Sequence, residues 1–392
     1  MQDIRTVIDV GNWYIKWVVF AEEDWRKIVL AKDMVKTQWM RKGRIIDVNE
    51  LWKTILSVID SFEKKLWEGL IDSVVVWISH PKMLIKRVRE QKRLITGVVE
   101  PEDISHFDKI IEDLEEEPNY EIIKTIPITW IIDEDIKVKE PLGMRGRKLE
   151  LIADIFMVPH SFYNSLIETF ELIWIDIDDV IPNILWGVEA SLDVETKDLG
   201  CLLIDIGNNQ TTFVVYEEME PLAYGVLPYW GEDVTKDISI GLQIDIKEAE
   251  KIKREKWIIL YEDNIDEDEQ IDIKFLSEVI AARYEDIFEK IKKVLEGIDR
   301  DWKLAGGVYL IWWGSKIKNL DKLTKEFFKL PAFYWREKQL MFGELSSNLQ
   351  FINLLWDYIW FEKYGQEWWA WFNFNISFDW LKKIVEFFKK IF

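Results

Sequence analysis

A single cysteine, Cys201, in 392 residues leaves nothing to pair with in a disulfide. Its place in an apolar run marks a buried structural thiol, as expected in a reducing cytoplasm. Three histidines, His80, His106 and His160, are scattered without metal-ligand spacing and read as structural. No Ser/His/Asp or Cys/His arrangement is readable. No apolar run reaches the length of a membrane-spanning helix. The chain opens directly into a strand pattern, so no signal peptide is expected. Positive charge is short as well: 51 Lys and Arg against 72 Asp and Glu give a formal charge of −21, which argues against a general nucleic-acid partner. With 48% hydrophobic residues the chain can still bury a sizeable core, and its length suits roughly two to four compact units.

Glycine is scarce in an unusual way. There are 18 glycines and 22 tryptophans, whereas glycine alone ordinarily makes up about 7% of a chain. The tryptophans also fall at turn and loop sites: Trp230 in Pro-Tyr-Trp-Gly, Trp312 and Trp313 in Ile-Trp-Trp-Gly-Ser, and Trp368, Trp369 and Trp371 near the end. A bulky indole suits neither positive φ nor close backbone approach. The expectation is that many or all of these tryptophans stand for glycine in the living protein, through a code that reads UGA as glycine.

What is present is a repeated motif. Val7-Ile8-Asp9-Val10-Gly11-Asn12-Trp13-Tyr14-Ile15-Lys16 and Leu203-Ile204-Asp205-Ile206-Gly207-Asn208-Asn209-Gln210-Thr211-Thr212 each read as apolar strand, sharp polar turn and second strand. A tight turn aims backbone N–H groups at phosphate oxygens, glycine permits close approach, and Asp9 and Asp205 can each hold a divalent cation through water. Two such hairpins suggest related halves facing one nucleoside triphosphate. Lys16 can touch phosphate or serve as a solvated strand lysine, and Glu250 and Lys253 can contact ribose or base or serve as helix-surface charges. A third turn, Trp312-Trp313-Gly314-Ser315 between the strand Gly306–Ile311 and the helix Leu320–Phe328, suits a nucleoside cradle.

Along the rest of the chain, Ile28–Lys36 can extend the first sheet. Val48–Lys65 has helical apolar spacing and Ser73–Ser79 is a strand. A stretch of different texture follows, with an acidic helix (Glu102–Glu117), strands near Glu121–Thr125 and Thr129–Asp133, and a Pro141-Leu142-Gly143 turn. Ser161–Phe170, Gly231–Ile240, Ile246–Lys256 and Leu276–Leu295 read as helices, Asp176–Ile181 as a strand, and the acidic run Tyr261–Asp272 as a solvated loop. Under the glycine reading, 362–375 is a flexible tether. The last segment, 376–392, is amphipathic: Phe378, Leu381, Ile384, Val385, Phe388, Ile391 and Phe392 oppose Lys382, Lys383, Glu386, Lys389 and Lys390. Such a basic helix can lie in a membrane interface.

These motifs resemble the actin/Hsp70/sugar-kinase ATPase superfamily, and within it the FtsA family of bacterial cell division. The resemblance rests on Val138-Lys139-Glu140-Pro141-Leu142-Gly143-Met144-Arg145-Gly146 through Glu150, on Leu227–Ile238, on Glu248-Ala249-Glu250-Lys251-Ile252-Lys253, on Leu276–Tyr284 and on the terminal helix. Trp230, Trp257, Trp312 and Trp313 fall where that family carries glycine. The resemblance implies an α/β, actin-like two-lobed ATPase fold of duplicated RNase H-like domains, with a small inserted α+β subdomain. The units would be 1–80 and 157–199 (first lobe), 81–156 (insert), 200–231 (second-lobe core), 232–300 (outer subdomain), 301–361 (return), 362–375 (tether) and 376–392 (membrane helix). It implies ATP and Mg2+ in the cleft. It also implies filament formation on the inner membrane face, binding of the FtsZ C-terminal peptide through 232–300, and contact with other divisome proteins.

Two departures bear on chemistry. Where the family has three glycines and a threonine, this chain has Gly207, Asn208, Asn209 and Gln210. In Asp179–Ala190, where related ATPases orient the attacking water, Glu189 is the candidate and no clearer one stands beside it. Nucleotide binding is therefore expected ahead of efficient hydrolysis. The rivals are a PilM-like type IV pilus assembly ATPase, which the Gly143-Met144 line and terminal helix disfavour, and a sugar or acetate-type kinase, which would need a catalytic Asp and a substrate-specific insert.

Overall fold

The computed structural model describes residues 3–334, apart from 12–13, 24–25, 37–39, 42–43, 65–70, 113–116, 208–209, 229–230, 256–258, 260–272 and 312–316. The tether, the amphipathic tail, the turn at 312–315 and the acidic run therefore lie outside the described residues.

The first lobe begins with strands β1 (Asp3–Val10), β2 (Tyr14–Glu23) and β3 (Arg26–Lys36), a short pair β4 (Met40–Arg41) and β5 (Arg44–Ile45), helix α1 (Val48–Glu63) and strand β6 (Ser73–Ile78). An insert follows: β7 (Leu84–Arg93), α2 (Pro101–Glu112), β8 (Tyr120–Ile132), β9 (Ile136–Val138) and β10 (Lys148–Pro159). The first lobe resumes with α3 (His160–Glu171), β11 (Asp176–Pro182), α4 (Asn183–Ser191) and α5 (Val194–Leu199). The second lobe comprises β12 (Cys201–Ile206), β13 (Thr211–Glu217), β14 (Glu220–Leu227), α6 (Gly231–Leu242), α7 (Ile246–Glu255), α8 (Ile273–Gly297), β15 (Gly307–Ile311), α9 (Leu320–Phe328) and β16 (Ala332–Tyr334).

The two main sheets repeat one plan. Their orders are β11-β6-β1-β2-β3 and β16-β15-β12-β13-β14. In each, the first strand of the lobe pairs antiparallel with the hairpin partner and parallel with a later strand. Thr6, Val7, Ile8, Asp9 and Val10 are all buried, the pattern of a strand covered on both faces. In β12 the pleat divides the work. Cys201 and Leu203 pack into the core that holds the first lobe, and Leu202, Ile204 and Ile206 into the core under α6, α8 and α9. Because side chains alternate, Asp205 shares the face of Leu203 and looks toward the first lobe.

The insert is a four-stranded sheet, β7-β10-β8-β9, over a small core around Val99, Phe107, Trp130 and Leu151. The sequence reads two strands here, near Glu121–Thr125 and Thr129–Asp133, and Pro127 lies between them. In the structure the strand is continuous, and the register shifts where Pro127 meets Ala153 and Ile152 meets Thr129. That bulge accommodates the residue that cannot donate to the ladder. Strand β7 escapes the sequence reading because it is an edge strand with charged residues: only Val88 is fully buried. Three of its charges are paired, Arg87 with Asp154, Arg89 with Glu150 and Lys92 with Asp103.

The insert also touches the second lobe. Arg87 donates to both Asp154 carboxylate oxygens at 2.7 and 2.8 Å and to the Pro221 carbonyl at 2.6 Å. Lys139 bridges the Ile128 carbonyl and Glu220, and Phe156 meets the Tyr224 ring edge-on at 5.4 Å. Asp154 is 1% exposed. Removing its bidentate partner strands a buried charge. Allowing for the partly exposed Arg87 side chain, Arg87→Ala should cost about 2–3 kcal/mol, read as a lower denaturation midpoint. An unchanged midpoint would contradict this reading of the junction.

Candidate functional site

The two hairpin turns have the same build. Gly11 N–H donates to the Tyr14 carbonyl at 3.2 Å, and Gly207 N–H to the Gln210 carbonyl at 3.0 Å. A Cβ at Gly11 would lie 2.7 Å from the Tyr14 oxygen, and one at Gly207 2.8 Å from the Gln210 oxygen. Only glycine fits either corner without displacing backbone. The acidic residues stand two positions earlier, Asp9 opposite Lys16 and Asp205 opposite Thr212. Asn12, Asn208 and Asn209 lie outside the described residues.

The structure brings Asp9, Lys16 and Asp205 together. Lys16 Nζ lies 2.7 Å from Asp9 Oδ2, both side chains nearly buried. Such a pair survives only when well hydrogen-bonded, and Asn183, at the start of α4, donates to Asp9 Oδ1 at 3.3 Å. Asn183 and Ile184 also line a crevice with Leu203, Asp205, Thr212, Phe213 and Val214, so this narrow space has walls from both lobes. Asn183 escapes the sequence reading, which takes Glu189 as the candidate of the same segment. Glu189 lies on α4.

Asp205 has the most strained electrostatics in the site. Its Oδ1 is sealed from solvent and makes no hydrogen bond among the described residues, and the same holds for Gln210 Oε1. Burial pushes the Asp205 carboxyl well above its ordinary range; Lys16 opposes the shift and Asp9 adds to it. A sealed carboxylate oxygen on the crevice wall, with a second sealed acceptor at Gln210 on the same hairpin turn, fits a bound cation or hydrogen-bond donors. Thr211, next in line, is fully buried.

The remaining predicted residues are placed differently. Lys253 is buried and donates to the Gly231 carbonyl at 3.0 Å and to Thr235 Oγ1 at 2.7 Å, with Glu250 2.7 Å away. Glu250 accepts from Thr235 and Arg254. The pair therefore knits α7 to the start of α6, and neither residue lines the crevice between the lobes. Trp312, Trp313, Gly314 and Ser315 lie outside the described residues, as does every tail residue from Phe378 to Phe392. Of the histidines, His80 is buried against Phe162 at 4.9 Å, and His160 joins Glu121 and Asn164.

Paired sheets of one strand order, matching Asp-x-Gly corners and a crevice between them define an actin-like ATPase fold. Solved structures agree. A PilM–PilN type IV pilus biogenesis complex superposes with a TM-score of 0.63 at 15% identity, over 90% of this chain and 96% of that one. MreB5 of Spiroplasma citri bound to AMPPNP gives 0.53 at 12% identity, over 93% and 97%.

Within that class two family models match, "Cell division protein FtsA" over residues 202–349 and "SHS2 domain inserted in FTSA" over residues 84–157. FtsA of Bacillus subtilis strain 168 is 25% identical over 315 residues, 76% of this chain and 70% of the relative. FtsA of Streptococcus pneumoniae strain D39 is 26% identical over 377 residues, 89% and 81%. The chain belongs to the FtsA family of cell division proteins. No helix among the described residues is long and apolar enough to cross a membrane.

The sealed carboxylate has a stability consequence. Asp205 has a folded-state pKa above its unfolded value. Its neutral form therefore stabilises the fold at acid pH, and that contribution is lost as pH rises through the raised value. In metal-free, nucleotide-free buffer at neutral pH, Asp205→Asn should gain about 1–3 kcal/mol, the cost of a shielded group without a partner. The gain should vanish at acid pH. Thermal melts at both pH values check it, and a variant less stable at neutral pH would contradict it.

Proposed function

We propose that this FtsA-family chain binds ATP with Mg2+ between its lobes, forms filaments, and ties the FtsZ ring to the cytoplasmic face of the membrane at the division site. The observation that carries the nucleotide part is the sealed acceptor Asp205 Oδ1 beside the Asp9–Lys16 pair, with Gln210 Oε1 a second sealed acceptor on the Gly207 turn. The residues fit the group: two carboxylates for a hydrated cation, two glycine corners for phosphate and one lysine. Mg2+, when bound, would neutralise phosphate charge. Asp9 and Asp205 would hold it through water, Gly11 and Gly207 would admit phosphate oxygens to the backbone, and Lys16, now occupied by Asp9, would be free to turn to phosphate.

Binding is favoured over fast turnover. The sequence carries Asn208, Asn209 and Gln210 where the family carries two glycines and a threonine, and Asn183 is an amide that orients but does not take a proton. A nucleotide held by both lobes would bias their relative angle, and through it the filament contact, by population shift. The lysine-edged tail, 376–392, would add about 1 kcal/mol per lysine near anionic lipid, and filament avidity would make many weak contacts firm. The FtsZ C-terminal peptide is assigned to 232–300 by family resemblance, with other divisome proteins recruited beside it.

Two measurements test this. Gly207→Ala should weaken Mg2+-dependent ATP binding at least tenfold, measured by calorimetry, while the fold remains by circular dichroism. Binding at unchanged affinity would end the nucleotide reading. Full-length protein should float with anionic liposomes, and a version lacking 376–392 should stay at the bottom. Equal behaviour of the two would remove the membrane reading and leave the kinase rival in its place.

A further inference from the structure

Helix α3 ends in a defined corner. Trp174 N–H donates to the Glu171 carbonyl at 3.1 Å, and Ile175 N–H to the Phe170 carbonyl at 3.3 Å. These are the two bonds of a Schellman ending, with Trp174 at the left-handed position and Ile175 closing the apolar contact with Phe170. Phe170 and Ile175 are both buried in the first-lobe core. Trp174 has φ of +57° and is 93% exposed. This position is where glycine is the usual occupant, because a Cβ is penalised there.

The corner alone does not select glycine, since Gln243 and Asp299 hold the equivalent places after α6 and α8. The side chain makes the difference. Among the described non-glycine residues with positive φ, the others are Asn, Asp, Glu, Gln, Lys and Met, and Trp174 is the single aromatic one. A bulky residue in this region is an outlier. Its indole also lies in water, so no packing offsets the strain.

A second position argues from the opposite environment. Trp77 sits in β6 beside Asp9, almost wholly buried, and its indole N–H is sealed without a hydrogen-bond partner among the described residues. A buried Trp N–H normally finds an acceptor. One tryptophan is strained and solvated, and the other is buried with its polar atom unanswered. Both defects disappear if neither position carries an indole.

We propose that the positions written as Trp77 and Trp174 carry glycine in the living protein, because the cell of origin inserts glycine at UGA. The shortage of glycine, 18 against 22 tryptophans, is then removed. The same reading places glycine at 312 and 313, ahead of Gly314 and Ser315. The inference does not depend on the nucleotide reading, since α3 ends far along the chain from either Asp-x-Gly corner.

The test is tandem mass spectrometry of the protein isolated from its own cells, on proteolytic peptides covering Trp77 and Trp174. Glycine is expected at both positions, each peptide being lighter by the difference between a tryptophan and a glycine residue. Tryptophan at either one overturns the proposal. An independent readout is the intact protein's near-ultraviolet absorbance, which should fall far below that of 22 indoles. Absorbance matching the written composition overturns it as well.

Discussion

The account depends on the pleat of β12. Alternation puts Leu202, Ile204 and Ile206 into the second-lobe core and sends Cys201, Leu203 and, by the same period, Asp205 to the opposite face. A slip of one residue would turn Asp205 into an apolar core, where a carboxylate has no support, and would expose Ile204 or Ile206 to the crevice. The apolar residues therefore fix register, and register aims the carboxylate. Cys201, with its thiol pushed up to about 12 by burial, serves the same packing.

A matching constraint acts in the first lobe. Asp9 is buried, but Lys16 on the partner strand and Asn183 on α4 hold its charge. Asp205 Oδ1 has no hydrogen-bond partner among the described residues, and the charge of Lys16 only partly opposes the effect of its burial. The two halves share strand order and turn geometry yet differ in electrostatics: one acid is neutralised from within, the other waits for charge from outside. Under the proposed nucleotide reading this asymmetry would favour binding in the crevice, because a ligand supplying positive charge or donors would remove a penalty the protein otherwise carries. Stability is given up at Asp205 in return for that capacity. The insert stands beside this arrangement. Arg87, Asp154 and Tyr224 join it to β14, the strand next to β13, whose first residue follows Gln210.

Much of this was legible in the sequence for physical reasons. The hairpins are short-range structures, set by β-branched runs and a glycine corner, so Asp9, Gly11, Asp205 and Gly207 could be found without tertiary information. Helices α8 and α9 declared themselves by apolar spacing. What failed to show depended on partners distant in the chain. Strand β7 looks like a charged loop until Asp154 and Glu150 appear across from Arg87 and Arg89. Pro127 looks like a break until Ala153 and the bulge absorb it. Asn183 carries no local signal, because its meaning is the Asp9 carboxylate 174 positions away. For Glu250 and Lys253 the sequence leaves ribose or base contact and helix-surface charge both open, and the structure adds their engagement with Thr235 and Gly231.

The most direct measurement is a crystal structure with Mn2+ and a non-hydrolysable ATP analogue, with the metal located by its anomalous signal. The account predicts one metal between Asp9 and Asp205, with phosphate against the Gly11 and Gly207 corners. A metal and nucleotide held by one lobe alone, leaving Asp205 Oδ1 sealed and unengaged, would contradict it.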